Sequence, residues 1–182
     1  MISSAEKTKV LTRMALCTAL LCISCYLVVP LPFTPVVITL QTLMINTFAL
    51  LLTPRQTACV LGLYLLLGTC GLPVFAGGNA GPGVFLGPTG GYLVGFFVSG
   101  CVISLLKGKE VNLVRWLFLT VVVGIFLVDL FGVLFLAYWS NSSLPAAIMT
   151  GAVPFLPGDI FKAVAATFVA MALHRVFVHQ TS

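Results

Sequence analysis

Residues 116–139 read WLFLTVVVGIFLVDLFGVLFLAYW, an apolar run interrupted by one carboxylate, Asp129, near its middle. A bilayer core about 30 Å thick takes roughly 20 apolar residues in an α-helix, so this stretch has the length and chemistry of a transmembrane span. Working outward, the same criterion predicts further spans at 10–29, 36–53, 56–70, 89–106 and 160–178. The third is the shortest and contains Gly62 and Gly68. The expected fold class is all-α: an integral membrane bundle of six transmembrane helices. The N- and C-termini are expected in the cytoplasm, with residues 1–182 as one membrane domain and a glycine-rich external loop between helices 3 and 4.

Composition agrees. Of 182 residues, 60% are hydrophobic and 7% charged, where soluble domains carry about 25% charged residues. Thirteen charged side chains cannot cover a water-facing surface, so they belong at segment ends or in a functional cavity. The net charge of +5 is read as a topology signal and not as an affinity for nucleic acid. With the N-terminus inside, the internal segments hold Lys7, Lys9, Arg13, Arg55, Lys107, Lys109, Arg115 and Arg175. The external connectors hold no basic residue, as the positive-inside rule requires. The first span follows basic residues as a secretory signal would. It is long for a signal's apolar region and has no convincing cleavage site, so it is expected to remain as a helix.

The six cysteines, Cys17, Cys22, Cys25, Cys59, Cys70 and Cys101, sit in or beside apolar stretches and are expected to act as small apolar residues. No disulfide framework and no metal site is expected. His174 and His179, near the C-terminus, lack metal-ligand spacing.

Polar chemistry collects on the external side. The first external connector, Pro30 to Pro35, is rigid and uncharged. The second, GLPVFAGGNAGPGVFLGP over 71–88, mixes glycine and proline with Val74, Phe75, Val84, Phe85 and Leu86. Those apolar residues suit a packed lid over the external mouth, or a plug in the bundle, better than a solvated linker. It lacks the G-x-x-x-x-G-K-[ST] phosphate pattern, as does every other stretch, so no ATPase is visible in the chain. The third connector ends in Pro154-Phe-Leu-Pro-Gly-Asp159, with Lys162 one helical turn further on. Asp159 reads as a helix N-cap or as a ligand group. Lys162 shares its face and lies at a depth where an ammonium needs a partner, a wet cavity or a route to the headgroups. Asn79, Gln41, Thr89 and Tyr92 are candidate linings of the same side. Asp129 is an intramembrane carboxylate and therefore a functional candidate by default. Ala15 and Ala19, four apart on the first span, would let another helix approach closely.

Four strings carry a family resemblance: PFTPVVITLQT at 32–42, GLPVFAGG at 71–78, GPTGGY at 87–92, and PFLPGD at 154–159 followed by Lys162. In this order, along nearly the whole chain, they resemble BioY, the biotin-specific S component of energy-coupling-factor (ECF) transporters. The resemblance implies a six-helix protein of the cytoplasmic membrane that captures biotin with high affinity from outside and is not an enzyme. Its partners would be a transmembrane coupling protein and two cytoplasmic ATPases, which alone use ATP; no cofactor is implied. Ala15 and Ala19 match the small-residue motif that docks on the coupling protein. Asp159 and Lys162 match ligand-binding positions, with Asn79 a further match, whereas Asp129 matches no motif. Phe33, Phe75 and Tyr92 would pack the ligand's rings. Lys162 would pair with the biotin carboxylate or serve Asp159, and the two poses stay open. A stand-alone gradient-driven or facilitative carrier for biotin or a related vitamin is the alternative function.

Overall fold

The structure, a computed structural model, describes residues 4–179; the side chains of Ala5 and of residues 176–179, His179 among them, lie outside that description. Helix α1, Ser4–Ser24, is followed by a short antiparallel hairpin. Its strands are β1, Val28–Val29, and β2, Ile38–Thr39, with Val28 opposite Thr39 and Val29 opposite Ile38. The expected spans 10–29 and 36–53 ran helix through these residues, and the hairpin corrects both. β-Branched side chains lose rotamer freedom in a helix and suit extended backbone. Pro30, Pro32 and Pro35 also remove N–H donors and hold the residues before them extended.

Helix α2 therefore begins at Gln41 and ends at Leu51. Helix α3, Pro54–Thr69, opens on a capping box: Gln56 N–H donates to Thr53 Oγ1 at 3.4 Å, and Thr53 N–H donates to Gln56 Oε1 at 3.1 Å. Two 3₁₀ turns, Ala76–Gly78 and Pro82–Leu86, shape the glycine-rich loop before α4, Gly90–Leu106. The opening apolar stretch lies in one continuous rod. It consists of α5 (Leu113–Leu117), a π-helical segment (Phe118–Gly124) and α6 (Ile125–Ser140). The third connector holds an unexpected short helix, α7, Leu144–Gly151. Helix α8, Leu156–His179, starts four residues before the expected 160. Asp159 thus sits inside the first turn, its N–H donating to the Phe155 carbonyl at 2.8 Å, and is not the N-cap. Two helices are long and apolar enough to cross a membrane, Leu113–Ser140 and Leu156–Arg175; Gln41–Leu51 and Gly90–Leu106 are apolar but shorter.

Small residues set the packing, as expected where lipid gives helices no hydrophobic reason to associate. Ala163, Ala166, Thr167 and Ala170 are fully buried on one face of α8, which lies against α2. Thr167 shares a 2.9 Å hydroxyl contact with Thr120 of the π segment. On α4, a Cβ at Gly91 would overlap the Phe131 carbonyl and Phe135, and one at Gly95 would stand 2.9 Å from the Val128 Cα. That proximity lets α4 meet α6 backbone to backbone.

The bundle has two chemically different ends. One gathers the hairpin, the glycine-rich loop, α7 and the first turns of α4 and α8. The other carries Arg55, Lys107, Arg115 and Arg175. There Lys107 Nζ donates to the Leu50 carbonyl at 2.8 Å and to that of Leu52, which also accepts from Ser104 Oγ at 2.8 Å. These donors satisfy carbonyls that the end of α2 leaves open. Burial pushes the Lys107 ammonium down to about 8. A residue read only for orientation thus also closes a helix.

Gly91→Leu is expected to cost more than the roughly 1–3 kcal/mol of ordinary overpacking, because the obstacle is backbone. The unfolding temperature in detergent should fall and monodisperse protein should be lost. Val94→Leu, at an exposed position of the same helix, should leave both unchanged. A stable Gly91→Leu protein would contradict the α4–α6 contact.

Candidate functional site

At the hairpin end the elements leave a hollow of about 60 Å³. Its walls come from Val36 to Thr39, the start of α2, Phe75, Ala76 and Val84 of the loop, Thr89 with Tyr92, Leu93 and Phe96 of α4, Val128 and Asp129 of α6, and Asp159 and Lys162 of α8. Most of the lining is apolar, with few polar groups converging, the usual character of a small-molecule site.

Lys162 is the centre of its electrostatics. Its Nζ lies 2.7 Å from Asp159 Oδ1, and the two side chains are only 9% and 16% exposed. The ammonium also donates to the Thr39 carbonyl at 3.0 Å. That carbonyl is presented by β2, so the hairpin that displaced the predicted helix ends supplies the second acceptor. An ammonium has three protons and two are engaged here. The third remains for something else in the hollow.

The other expected residues separate into two groups. Gln41, Phe75, Thr89 and Tyr92 line the hollow with Asp159 and Lys162. Gln41 is fully buried and already committed: its Nε2 donates to Tyr64 Oη at 2.6 Å and to the Val74 carbonyl at 3.3 Å, while its Oε1 accepts from Thr39 Oγ1 at 3.2 Å. Tyr92 donates to the Gly151 carbonyl at 2.8 Å, its ring seated where Gly132 and Gly151 leave no Cβ in the way. Phe75 covers Gly68 and meets Tyr64 and Phe85 edge-on, at centroid distances of 5.6 and 5.8 Å. The structure places Asn79 and Phe33 elsewhere. Asn79 is exposed and donates to the Ala76 carbonyl at 2.7 Å within its own loop. Phe33 projects from the hairpin turn, 60% exposed. Short polar loops hydrogen-bond internally more readily than they reach inward, which accounts for Asn79.

Asp129, which matched no motif, is in the wall. It also borders a smaller inner chamber of about 20 Å³, lined in addition by Thr42, Asn46, Ser99 and Gly124. Thr39 and Thr42 were not singled out from the sequence, since nothing in a lone threonine announces that its carbonyl or hydroxyl faces a cavity. Cys22 and Cys25 have C-x-x-C spacing. Both thiols are free, and Cys25 is buried under the loop with Sγ 3.7 Å from the Pro73 carbonyl. Ala15 and Ala19 lie on the exposed face of α1, opposite its buried Cys17, Thr18 and Leu21.

The family model described as the BioY family matches residues 1–179. The chain is 37% identical over 173 residues to the biotin transporter BioY2 of Lactococcus lactis subsp. cremoris (strain MG1363), covering 93% of this chain and 92% of that one. It is 34% identical over 170 residues to the biotin transporter BioY of Thermotoga maritima, covering 93% and 98%. Among solved structures, the S-component for biotin from an ECF-type ABC transporter superposes with a TM-score of 0.91 at 31% identity, over 96% of this chain and 95% of that one.

Removing one member of a buried ion pair strands the other, at a cost of roughly 3–5 kcal/mol. Lys162→Met should therefore lower ligand-free stability by about 3 kcal/mol, read from thermal unfolding in detergent. Adding Asp159→Asn to it should recover part of that loss. If the double variant were less stable than Lys162→Met, the two side chains would not form a coupled pair.

Proposed function

The chain belongs to the BioY family, and from that membership we propose that it is the biotin-binding S component of an ECF-type transporter, a membrane protein that takes up biotin and catalyses no reaction. The observation that carries this reading is the buried Asp159–Lys162 pair facing an otherwise apolar hollow. Biotin offers a ureido group with two N–H donors and a carbonyl, apolar rings, and a chain ending in carboxylate. Asp159 accepts, Lys162 has a proton to give, and Phe75 and Tyr92 provide flat area at low entropy cost. Hydrogen bonds to charged groups contribute about 1.5–3 kcal/mol each, so two or three of them plus ring burial approach the −12 kcal/mol of nanomolar binding.

We extend the reading to membrane arrangement and partners. Six helices, α1, α2, α3, α4, the α5–α6 rod and α8, span the cytoplasmic membrane with both termini inside. The clustering of Arg55, Lys107, Arg115 and Arg175 at one end and the hollow at the other supports this orientation. No phosphate-loop pattern is present, so transport energy comes from partners: a transmembrane coupling protein and two cytoplasmic ATPases. The exposed Ala15 and Ala19 face of α1 is the docking surface. No cofactor takes part.

Isothermal titration of biotin tests the site. Asp159→Ala should weaken binding by about 10- to 150-fold, the equivalent of one charge-assisted hydrogen bond. Gln41→Ala should weaken it far less, because that side chain's bonds are to Tyr64 and Val74. Unchanged affinity in Asp159→Ala would remove Asp159 from the site. For docking, Ala15→Trp with Ala19→Trp should leave biotin affinity intact and abolish ATP-dependent uptake in cells holding the partner module. Normal uptake by that variant would refute the docking face.

A further inference from the structure

The polar wall of the hollow holds two carboxylates, Asp159 and Asp129, and one ammonium. Lys162 is engaged by Asp159 and the Thr39 carbonyl. Among the described residues Asp129 has neither an ion pair nor a hydrogen bond. It lies in the wall shared by the hollow and the inner chamber, within electrostatic reach of both Asp159 and Lys162. Two other polar groups beside it are idle. Thr42 Oγ1 is the one buried side-chain polar atom without a partner among the described residues, and it borders both spaces. Asn46 is 7% exposed, lines the inner chamber, and has no hydrogen bond among the described residues.

Buried polar groups are normally paired, and those left idle beside a cavity mark where a ligand's own groups are missing. An excess of carboxylate over ammonium disfavours an anionic group at this end, and it favours a neutral group that brings two N–H donors and one acceptor.

We propose that Asp129 is a second ligand-binding carboxyl group. It accepts one ureido N–H of biotin while Asp159 accepts the other, and the ureido oxygen takes the remaining Lys162 proton and the Thr42 hydroxyl. The inference rests on the biotin reading above and adds a pose to it: the ureido ring lies inward, and the valerate carboxylate points away from both aspartates toward the loop. Specificity then comes from two acceptors matched to two donors, so a ligand lacking either N–H strands a desolvated carboxyl group.

The test is a cycle between residue and ligand, using biotin and its two mono-N-methylated ureido isomers with the full chain in detergent. Wild type is expected to bind each isomer at least about tenfold more weakly than biotin. In Asp129→Ala, biotin weakens by a similar factor and one isomer loses its disadvantage. In Asp159→Ala, the other isomer does so. Asp129→Asn keeps an acceptor oxygen in the same volume and should show the same selectivity change at smaller size, which covers a failure of the alanine variant to fold. Asp129→Ala and Asp129→Asn binding biotin as wild type does, or weakening all three ligands by one common factor, would overturn the role of Asp129 and leave the biotin reading standing. A wild-type chain that binds no biotin would overturn both.

Discussion

An ammonium ion removed from water has to find acceptors for its protons, and Lys162 finds them on two different parts of the chain. Asp159 comes from its own helix, one turn earlier, and the Thr39 carbonyl comes from a strand more than a hundred residues away in sequence. The contact ties the hairpin to α8 across the top of the hollow. With α8 beginning at Leu156, Asp159 lies inside the first turn, and the i, i+3 spacing puts carboxylate and ammonium on one face. Lost at either end, the pair would leave a charge in an apolar wall.

Around that contact the bundle is assembled by close approach. Alanines on α8 and glycines on α4 remove the side chains that would hold neighbours apart. Bulk returns where the hollow needs walls. Tyr92 is seated against Gly132 and Gly151, and Phe75 over Gly68, so these two rings of the lining each have a glycine behind them. The lining is consequently rigid on its aromatic side, while its polar side depends on a few hydrogen bonds.

How far the sequence disclosed this depends on the residue. The apolar stretches at 56–70, 89–106 and 116–139 correspond to helices within a few residues, because long apolar runs leave few alternatives in lipid. The predicted helix ends at 29 and 36 failed where valines meet prolines: hydropathy reports apolarity and is blind to backbone preference. Asp159 and Lys162 were visible because charge is rare in such a chain. The short helix at Leu144–Gly151 was hidden in a connector of mixed composition. Asn79 was legible as the loop's single amide, yet its side chain satisfies its own loop. Thr39 contributes a main-chain oxygen, which no residue type encodes. The BioY resemblance supplied the fold family and the ligand, but Asp129 stood outside its motifs: its depth in an apolar span marked it as a candidate, and geometry gave it a place in the wall of the hollow.

The π segment Phe118–Gly124 has an effect on which way that carboxylate looks. An α-helix repeats about every 3.6 residues, so the inward face begun by Trp116 and Thr120 would come round again near Leu130 and Leu134. Those two are 38% and 51% exposed, while Val133 and Leu136 are buried at 5% and 2%. The wider turn slips the winding by a residue or two, and that change of phase rotates Asp129 from the lipid side to the interior. Gaining or losing one residue there would turn every side chain beyond it by about 100° around the rod, enough to carry Asp129 out of the wall of the hollow.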